Sequence, residues 1–353
     1  VRRVEPVRIG VDARLLARPL TGIGRYTHEM VNALLRAGAD LILYAPGPPV
    51  HPLHQGGGRA QQRIVAMKGG GAGRFFWGQA VLPVLVRRDR PEIFWGPAHR
   101  LPLGLPREVF GCLTVHDLVW RFAGETMQPA GRLMEKLLMP PALKRADAIV
   151  AVSRHTRADI ARSFPGLRAD VSVIYPGVAA RLPGHGAGYL RKWGVARPYI
   201  LFVGTLEPRK NLVGLLRAYA RLDPATRPPL VVGGREGLPY EPIFADAQAV
   251  GITDDVRFPG YIDPMELPLW YGAATMFVYP SLYEGFGLPV LEAMACGSPV
   301  ITSSTSALAE VAGEAALLVA PEDVGSLAAA LERLGQDAEL RAELRRRGPA
   351  RAA

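Results

Sequence analysis

The sequence has only two cysteines in 353 residues, Cys112 and Cys296. They sit in apolar segments of different halves. A disulfide scaffold is excluded, and both are expected as buried free thiols of a reducing compartment. Long apolar runs are also missing. The longest stretch, Phe75-Phe-Trp-Gly-Gln-Ala-Val-Leu-Pro-Val-Leu-Val86, is too short and too interrupted to cross a bilayer. The opening Val1-Arg-Arg-Val-Glu leads directly into a strand pattern and does not read as a signal peptide. Aromatic residues stop at Phe286.

Acidic residues are scarce in the first half only. Residues 1–185 hold 26 Lys and Arg against 13 Asp and Glu, whereas residues 186–353 hold 16 against 19. The whole chain is +10. A basic first half beside a nearly neutral second half suggests different partners for each; on charge alone nucleic acid, anionic lipid and acidic glycan are all open. Hydrophobic content of 49% excludes a disordered chain. The length is large for one core and comfortable for two domains. The best linker is Pro176–Pro198, with five Gly and three Pro, which divides the chain into 1–185 and 186–353.

What is present is an alternation of short apolar strands and amphipathic helices, the pattern of an α/β chain with parallel sheets. Val7–Val11, Leu41–Tyr44, Glu92–Trp95, Val109–Val115, Ala148–Ser153 and Val171–Tyr175 are the strands of the first half. Ser153 is placed to cap the next helix. After a loop comes Thr21-Gly-Ile-Gly-Arg-Tyr26, with Gly22-Ile-Gly24 as a glycine loop, and then an amphipathic helix to about Ala37, with Tyr26, Met30 and Leu34 on one face. Gly22 and Gly24 invite a dinucleotide reading. They come too long after the strand, and the second strand ends in Ala45-Pro46 with no carboxylate for a ribose, so a dehydrogenase is disfavoured. Residues 46–74, rich in Pro, Gly and Gln, read as a loop, including Gly69–Gly73. Arg74-Phe-Phe-Trp77 then leads a helix ending in Arg87-Arg88; it reads either as core or as a lipid-facing patch. His116, with Asp117, stands at a strand end, where open α/β sheets hold ligands. His99, in Gly96-Pro-Ala-His-Arg-Leu-Pro102, is a weaker candidate.

In the second half the strands are Tyr199–Val203, Leu230–Gly234, Val256–Gly260, Met276–Tyr279, Pro299–Thr302 and Ala316–Val319. The densest stretch is Ser281-Leu-Tyr-Glu-Gly-Phe-Gly-Leu-Pro-Val-Leu-Glu-Ala-Met-Ala-Cys-Gly297. A buried strand runs into a glycine turn and a helix, whose free amides attract anions. Pro289 suits the first helical turn and Gly297 the stop. Glu284 and Glu292 frame those amides. At about 1.5 Å per residue, Glu292 lies roughly 7–8 Å along the helix, which suits a long ligand with hydroxyls at its ends and charge in its middle. Arg209 and Lys210 stand at another strand-to-helix turn. Two cations at the positive end of a helix are unfavourable without an anion, which points to a phosphate-bearing ligand.

Glu284-Gly-Phe-Gly-Leu-Pro-Val-Leu-Glu292 resembles the E-x7-E signature of the retaining glycosyltransferases of family 4 (glycosyl transferases group 1), and the resemblance extends over nearly the whole chain. It implies a GT-B architecture, two Rossmann-like domains with parallel sheets facing across a cleft. Residues 1–185 would form the acceptor side and 186–353 the nucleotide-sugar side. It further implies catalytic roles for His116, near the anomeric carbon, and for Glu284. Donor contacts would come from Gly22, Gly24, Arg209, Lys210, Gly285, Phe286, Gly287, Leu288 and Glu292, with the nucleobase beside Gly260 and Tyr261. Thr205 stands where many members carry an Arg, and no aromatic introduces the long terminal helix with which members usually finish.

The implied activity is sugar transfer from a nucleotide diphosphate to an acceptor hydroxyl. Glycan or lipid-linked glycan would be the acceptor, and no nucleic acid is implied. Gly204-Thr-Leu-Glu-Pro-Arg-Lys-Asn211 is similar to mannosyltransferase relatives, so GDP-mannose is the expected donor, with UDP-glucose the competitor. No Asp-x-Asp triplet occurs, and no metal or other cofactor is expected. The expected location is cytoplasmic, with possible peripheral contact to anionic membrane. The competing readings are a GT-B nucleotide-sugar epimerase and a non-catalytic nucleotide- or glycan-binding module.

Overall fold

Short, nearly continuous apolar strands such as Met276-Phe-Val-Tyr279 can bury their side chains only in a sheet covered on both faces. All four residues of that strand are buried to 1% exposure or less, each contributing roughly 1.5–3 kcal/mol of burial. The computed structural model describes residues 7–67, 70–178, 190, 195, 198–235 and 241–353. Among these, two parallel sheets collect the strands.

The first sheet has seven strands: β1 (Arg8–Asp12), β2 (Asp40–Ala45), β3 (Arg59–Ile64), β4 (Ile93–Gly96), β5 (Phe110–Val115), β6 (Ala148–Ala151) and β7 (Asp170–Val173), in the order β3-β2-β1-β4-β5-β6-β7. The second has six: β8 (Ile200–Val203), β9 (Leu230–Gly233), β10 (Val256–Gly260), β11 (Met276–Tyr279), β12 (Val300–Ser303) and β13 (Leu317–Val319), in the order β10-β9-β8-β11-β12-β13. Every pairing is parallel. In each sheet the order reverses once, between β1 and β4 and between β8 and β11. Crevices beyond the strand C-termini at such points are where this kind of sheet takes ligands.

Two compact units result. One holds residues 1–118 and 130–175, the other 119–129 and 176–353. The chain therefore changes units at Tyr175, whereas most of the linker read from the sequence lies outside the described residues. The short segment Val119–Pro129 also belongs to the second unit, which composition did not indicate.

Two expectations for residues 46–88 are corrected, and for Trp77 one of two readings is selected. Arg59-Ala-Gln-Gln-Arg-Ile64 is an edge strand, not loop; its side chains are mostly exposed, and it is held by its backbone pairing with β2 and by Arg63, which donates to Asp89 at 2.9 Å. Gly71–Phe76 is the first turn of a helix rather than loop, while Gly69 lies outside the described residues. Trp77 takes the core reading. It is 1% exposed, and its indole N–H donates to the Val65 carbonyl at 2.8 Å. Phe75 and Phe76 remain 42% and 59% exposed.

The last helix, Ala338–Ala352, packs on the helix Leu288–Ala295 of the second unit. Gly348 makes this approach possible, since a Cβ there would meet the Met294 carbonyl oxygen at 3.0 Å. Arg345 and Arg351 anchor it by donating to the Ala274 and Glu310 carbonyls.

Candidate active site

In the second unit the polar residues converge where β8 and β11 end. After β8 the chain forms a single 3-10 turn, Pro208–Lys210, and Asn211 takes a left-handed φ of 56° before the helix Leu212–Tyr219. The Asn211 amide donates to the Pro280 and Pro321 carbonyls. The Leu282 amide donates to the Arg209 carbonyl at 2.9 Å. These bonds stitch the turn after β8 to the loop after β11, and so place Arg209 and Lys210 beside Glu284.

Both oxygens of the Glu284 carboxylate have partners. Its Oε1 accepts from Lys210 Nζ at 2.5 Å, Ser281 Oγ at 2.8 Å and Tyr279 OH at 3.1 Å. Its Oε2 faces Arg209 at 2.8 Å. Lys210 also donates to Tyr279 OH at 2.7 Å. Burial by itself would raise the Glu284 pKa; Arg209 and Lys210 outweigh it and hold the carboxyl at about 2. Burial and the adjacent Arg209 lower the Lys210 pKa, with Glu284 opposing them.

This arrangement revises the electrostatic argument drawn from the sequence. The anion demanded by two cations at a helix start is supplied within the protein by Glu284, with Glu207 on Arg209 at 3.2 Å. The guanidinium and ammonium groups at this turn are therefore already oriented by carboxylates of the protein itself.

Glu292, in the helix Leu288–Ala295, is buried and accepts a 3.4 Å hydrogen bond from Tyr271. Gly287 must be glycine for the fold: its φ is 106°, and a Cβ would lie 2.5 Å from Leu308. Pro289 occupies the first helical turn as the sequence indicates. Phe286 is buried. Gly260 ends β10 with φ 75°, and Tyr261 beside it is half-exposed, with the Arg235 guanidinium 4.4 Å from its ring centroid.

In the first unit His116 follows β5. Its Nε2 lies 2.7 Å from the Pro97 carbonyl, which requires the proton on Nε2 and leaves the lone pair on Nδ1. Its backbone amide donates to His99 Nε2 at 3.1 Å, and the two rings stack at 5.4 Å. Tyr26 packs edge-on against His116 at 4.8 Å. His99, held at φ 62°, turns Nδ1 toward Glu135, 3.7 Å away. Burial above all, and then the neighbouring His99, push the His116 pKa down to about 3. The ring is neutral throughout the physiological range and offers hydrogen bonds rather than a proton. Gly22 and Gly24 lie in the first turn of the helix Gly22–Arg36, not in a loop before it. A Cβ at Gly22 would meet nothing within 4 Å.

The structure thus joins Arg209, Lys210 and Glu284 in one cluster of the second unit, and His116 with His99 in the first. Tyr279, Ser281, Tyr283 and Ser306 were not singled out by sequence. The Tyr283 carbonyl accepts from Arg209 at 3.0 Å, and Ser306 Oγ accepts from the Glu284 amide at 3.2 Å. Tyr279 and Ser281 do flank the signature, but hydroxyl direction is not written in a spacing.

Comparison with known proteins decides the family. Residues 20–181 match the family described as Glycosyltransferase Family 4, and residues 191–351 match Glycosyl transferases group 1. O-antigen chain mannosyltransferase B of Escherichia coli is 34% identical over 357 residues, spanning 95% of this chain and 92% of that protein. The chain belongs to glycosyltransferase family 4. Solved structures agree on the fold. Sucrose-phosphate synthase of Thermosynechococcus elongatus superposes with a TM-score of 0.78 at 22% identity, covering 98% of this chain and 94% of the other. Anabaena HepE, solved with UDP and glucose, gives 0.76 at 16% identity with the same coverage. This family 4 glycosyltransferase has the GT-B fold, with the two parallel α/β domains expected from its sequence.

Proposed function

We propose that the enzyme transfers a hexose, with retention of anomeric configuration, from a nucleotide diphosphate held on the second unit to a hydroxyl of a glycan or lipid-linked glycan. The Arg209–Lys210–Glu284 cluster carries this reading. Arg209 and Lys210 take the diphosphate and stabilise the leaving charge, with the amides at the start of the helix Leu288–Ala295, and no divalent ion is needed. Glu284 and Glu292 bind sugar and ribose hydroxyls, and the nucleobase lies beside Gly260 and Tyr261. Glu284 is unsuited to nucleophilic attack, because both its oxygens are engaged and its pKa is about 2. The neutral His116 serves the transferred sugar through a hydrogen bond, and the glycine turn at Gly22 and Gly24 serves the diphosphate.

Mannose from GDP-mannose is the donor favoured by the likeness to the O-antigen mannosyltransferase. UDP-glucose is the second reading. The deciding experiment is a thermal-shift comparison of GDP, UDP and ADP, followed by transfer from the matching labelled donor with and without acceptor extract. Donor turnover without acceptor would favour an epimerase. Loss of transfer on adding EDTA, restored by magnesium or manganese, would overturn the metal-independent mechanism.

A further inference from the structure

The segment Val119–Pro129 begins three residues after His116 in the chain, yet packs as part of the second unit. It is a compact plug. One helical turn, Val119–Phe122, runs into a 3-10 turn, Gly124–Thr126, and hydrogen bonds from the Ala123 and Thr126 amides and the Thr126 hydroxyl tie the two together. Its apolar side receives Tyr283. Val119, Ala123 and Tyr283 are buried together, with Phe122 and Met127 packed against them. The Phe122 and Tyr283 rings stack with centroids 6.0 Å apart and planes inclined by 28°.

Tyr283 is the residue before Glu284. Its carbonyl accepts from Arg209 Nη1 at 3.0 Å, and the preceding amide, of Leu282, donates to the Arg209 carbonyl at 2.9 Å. Wherever the Tyr283 ring is seated, its backbone goes with it, and so do the Arg209 fork and the start of the Glu284 loop. Side chains that grip a substrate tolerate little displacement before rate and affinity fall.

We propose that Phe122 is a positioning residue for the donor site: stacked on Tyr283, it fixes the carbonyl that orients Arg209 and the adjoining Glu284. This rests on the reading that Arg209 holds the donor diphosphate. The role reaches across the sequence, since Phe122 lies far from the signature stretch and belongs to the half expected to handle the acceptor.

The test is a calorimetric double-mutant cycle on the full chain, with whichever of GDP, UDP or ADP the wild type binds. Arg209→Ala should weaken nucleotide binding tenfold or more, and Phe122→Ala about three- to tenfold. The double variant should be no weaker than Arg209→Ala alone, and Phe122→Tyr should be near wild type. Hydrogen exchange in residues 281–287 should speed up in Phe122→Ala while the strands of the first sheet stay unchanged. A Phe122→Ala affinity within twofold of wild type beside a weakened Arg209→Ala would overturn the positioning role and leave the donor site standing. So would losses that multiply in the double variant, the mark of a merely structural residue. A wild type that binds none of the three nucleotides, or an Arg209→Ala variant with full affinity, would remove the donor-site reading and this proposal with it. Should Phe122→Ala fail to fold, Phe122→Leu carries the same comparison under the same criteria.

Discussion

Lys210 and Glu284 are 74 residues apart in sequence and 2.5 Å apart in the fold, both buried, at the ends of neighbouring strands β8 and β11. Burying such a pair has a structural cost. Removing one partner leaves the other charged in a site that water hardly reaches, although Arg209 remains beside Glu284.

Lys210→Met should therefore destabilise the protein as well as abolish most transfer. Breaking a buried pair costs about 3–5 kcal/mol, and Arg209 should keep this case near the lower end. The double variant Lys210→Met with Glu284→Leu should lose less than the sum of the two single variants. Urea unfolding of all three checks this; strictly additive losses would mean that the pair is not coupled.

Acid should weaken the fold in two stages. The His116 pKa is held near 3 in the native state against an ordinary 6.5. The unfolded chain thus takes up a proton that the folded chain refuses, and stability falls as pH drops below about 6.5. Below about 4.5 the depressed Glu284, at about 2, adds to the loss, because its ionised form is the one paired in the fold. His116→Asn should flatten the stability–pH slope between pH 6.5 and 4.5 by close to one proton. Denaturant titrations at intervals of half a pH unit would reveal the difference; equal slopes would contradict a buried neutral His116.

The helix Gly22–Arg36 begins with a glycine whose Cβ position is open. Alanine there should fold at least as well as wild type, with up to about 1 kcal/mol of helix propensity gained. Transfer should nevertheless fall if this turn must lie against the diphosphate. An unchanged turnover in Gly22→Ala would free the glycine turn from any part in the reaction.

Membrane contact, if the acceptor is lipid-linked, should run through Phe75 and Phe76 and not Trp77. No helix among the described residues is long and apolar enough to cross a membrane. Phe75→Ser with Phe76→Ser should reduce co-sedimentation with anionic liposomes at low salt, where each basic residue near the surface contributes about 1 kcal/mol. Trp77→Ser should instead lower thermal stability, since it removes a buried ring and its bond to Val65. Equal binding to neutral and anionic liposomes would remove the membrane from the account.

The chain's own pattern determined the class of fold. Apolar strands alternating with amphipathic helices bury their faces in parallel sheets, and the signature Glu284–Glu292 marked the strand end beyond which the polar cluster of the second unit assembles. That information is local: strand, turn, capping proline and stop glycine all lie within a few residues of each other. Where pattern was weak the reading failed. Arg59–Ile64 has no apolar alternation because an exposed edge strand, held by its neighbour's backbone, needs no apolar face. Tertiary structure alone decided the rest. It turned the unpaired cations Arg209 and Lys210 into partners of Glu284, made His116 a neutral ring by burying it against Pro97 and His99, and carried Phe122 onto Tyr283. Each of these depends on which strand ends become neighbours, and that is set by the order in which strands dock into a sheet, which residue spacing does not encode.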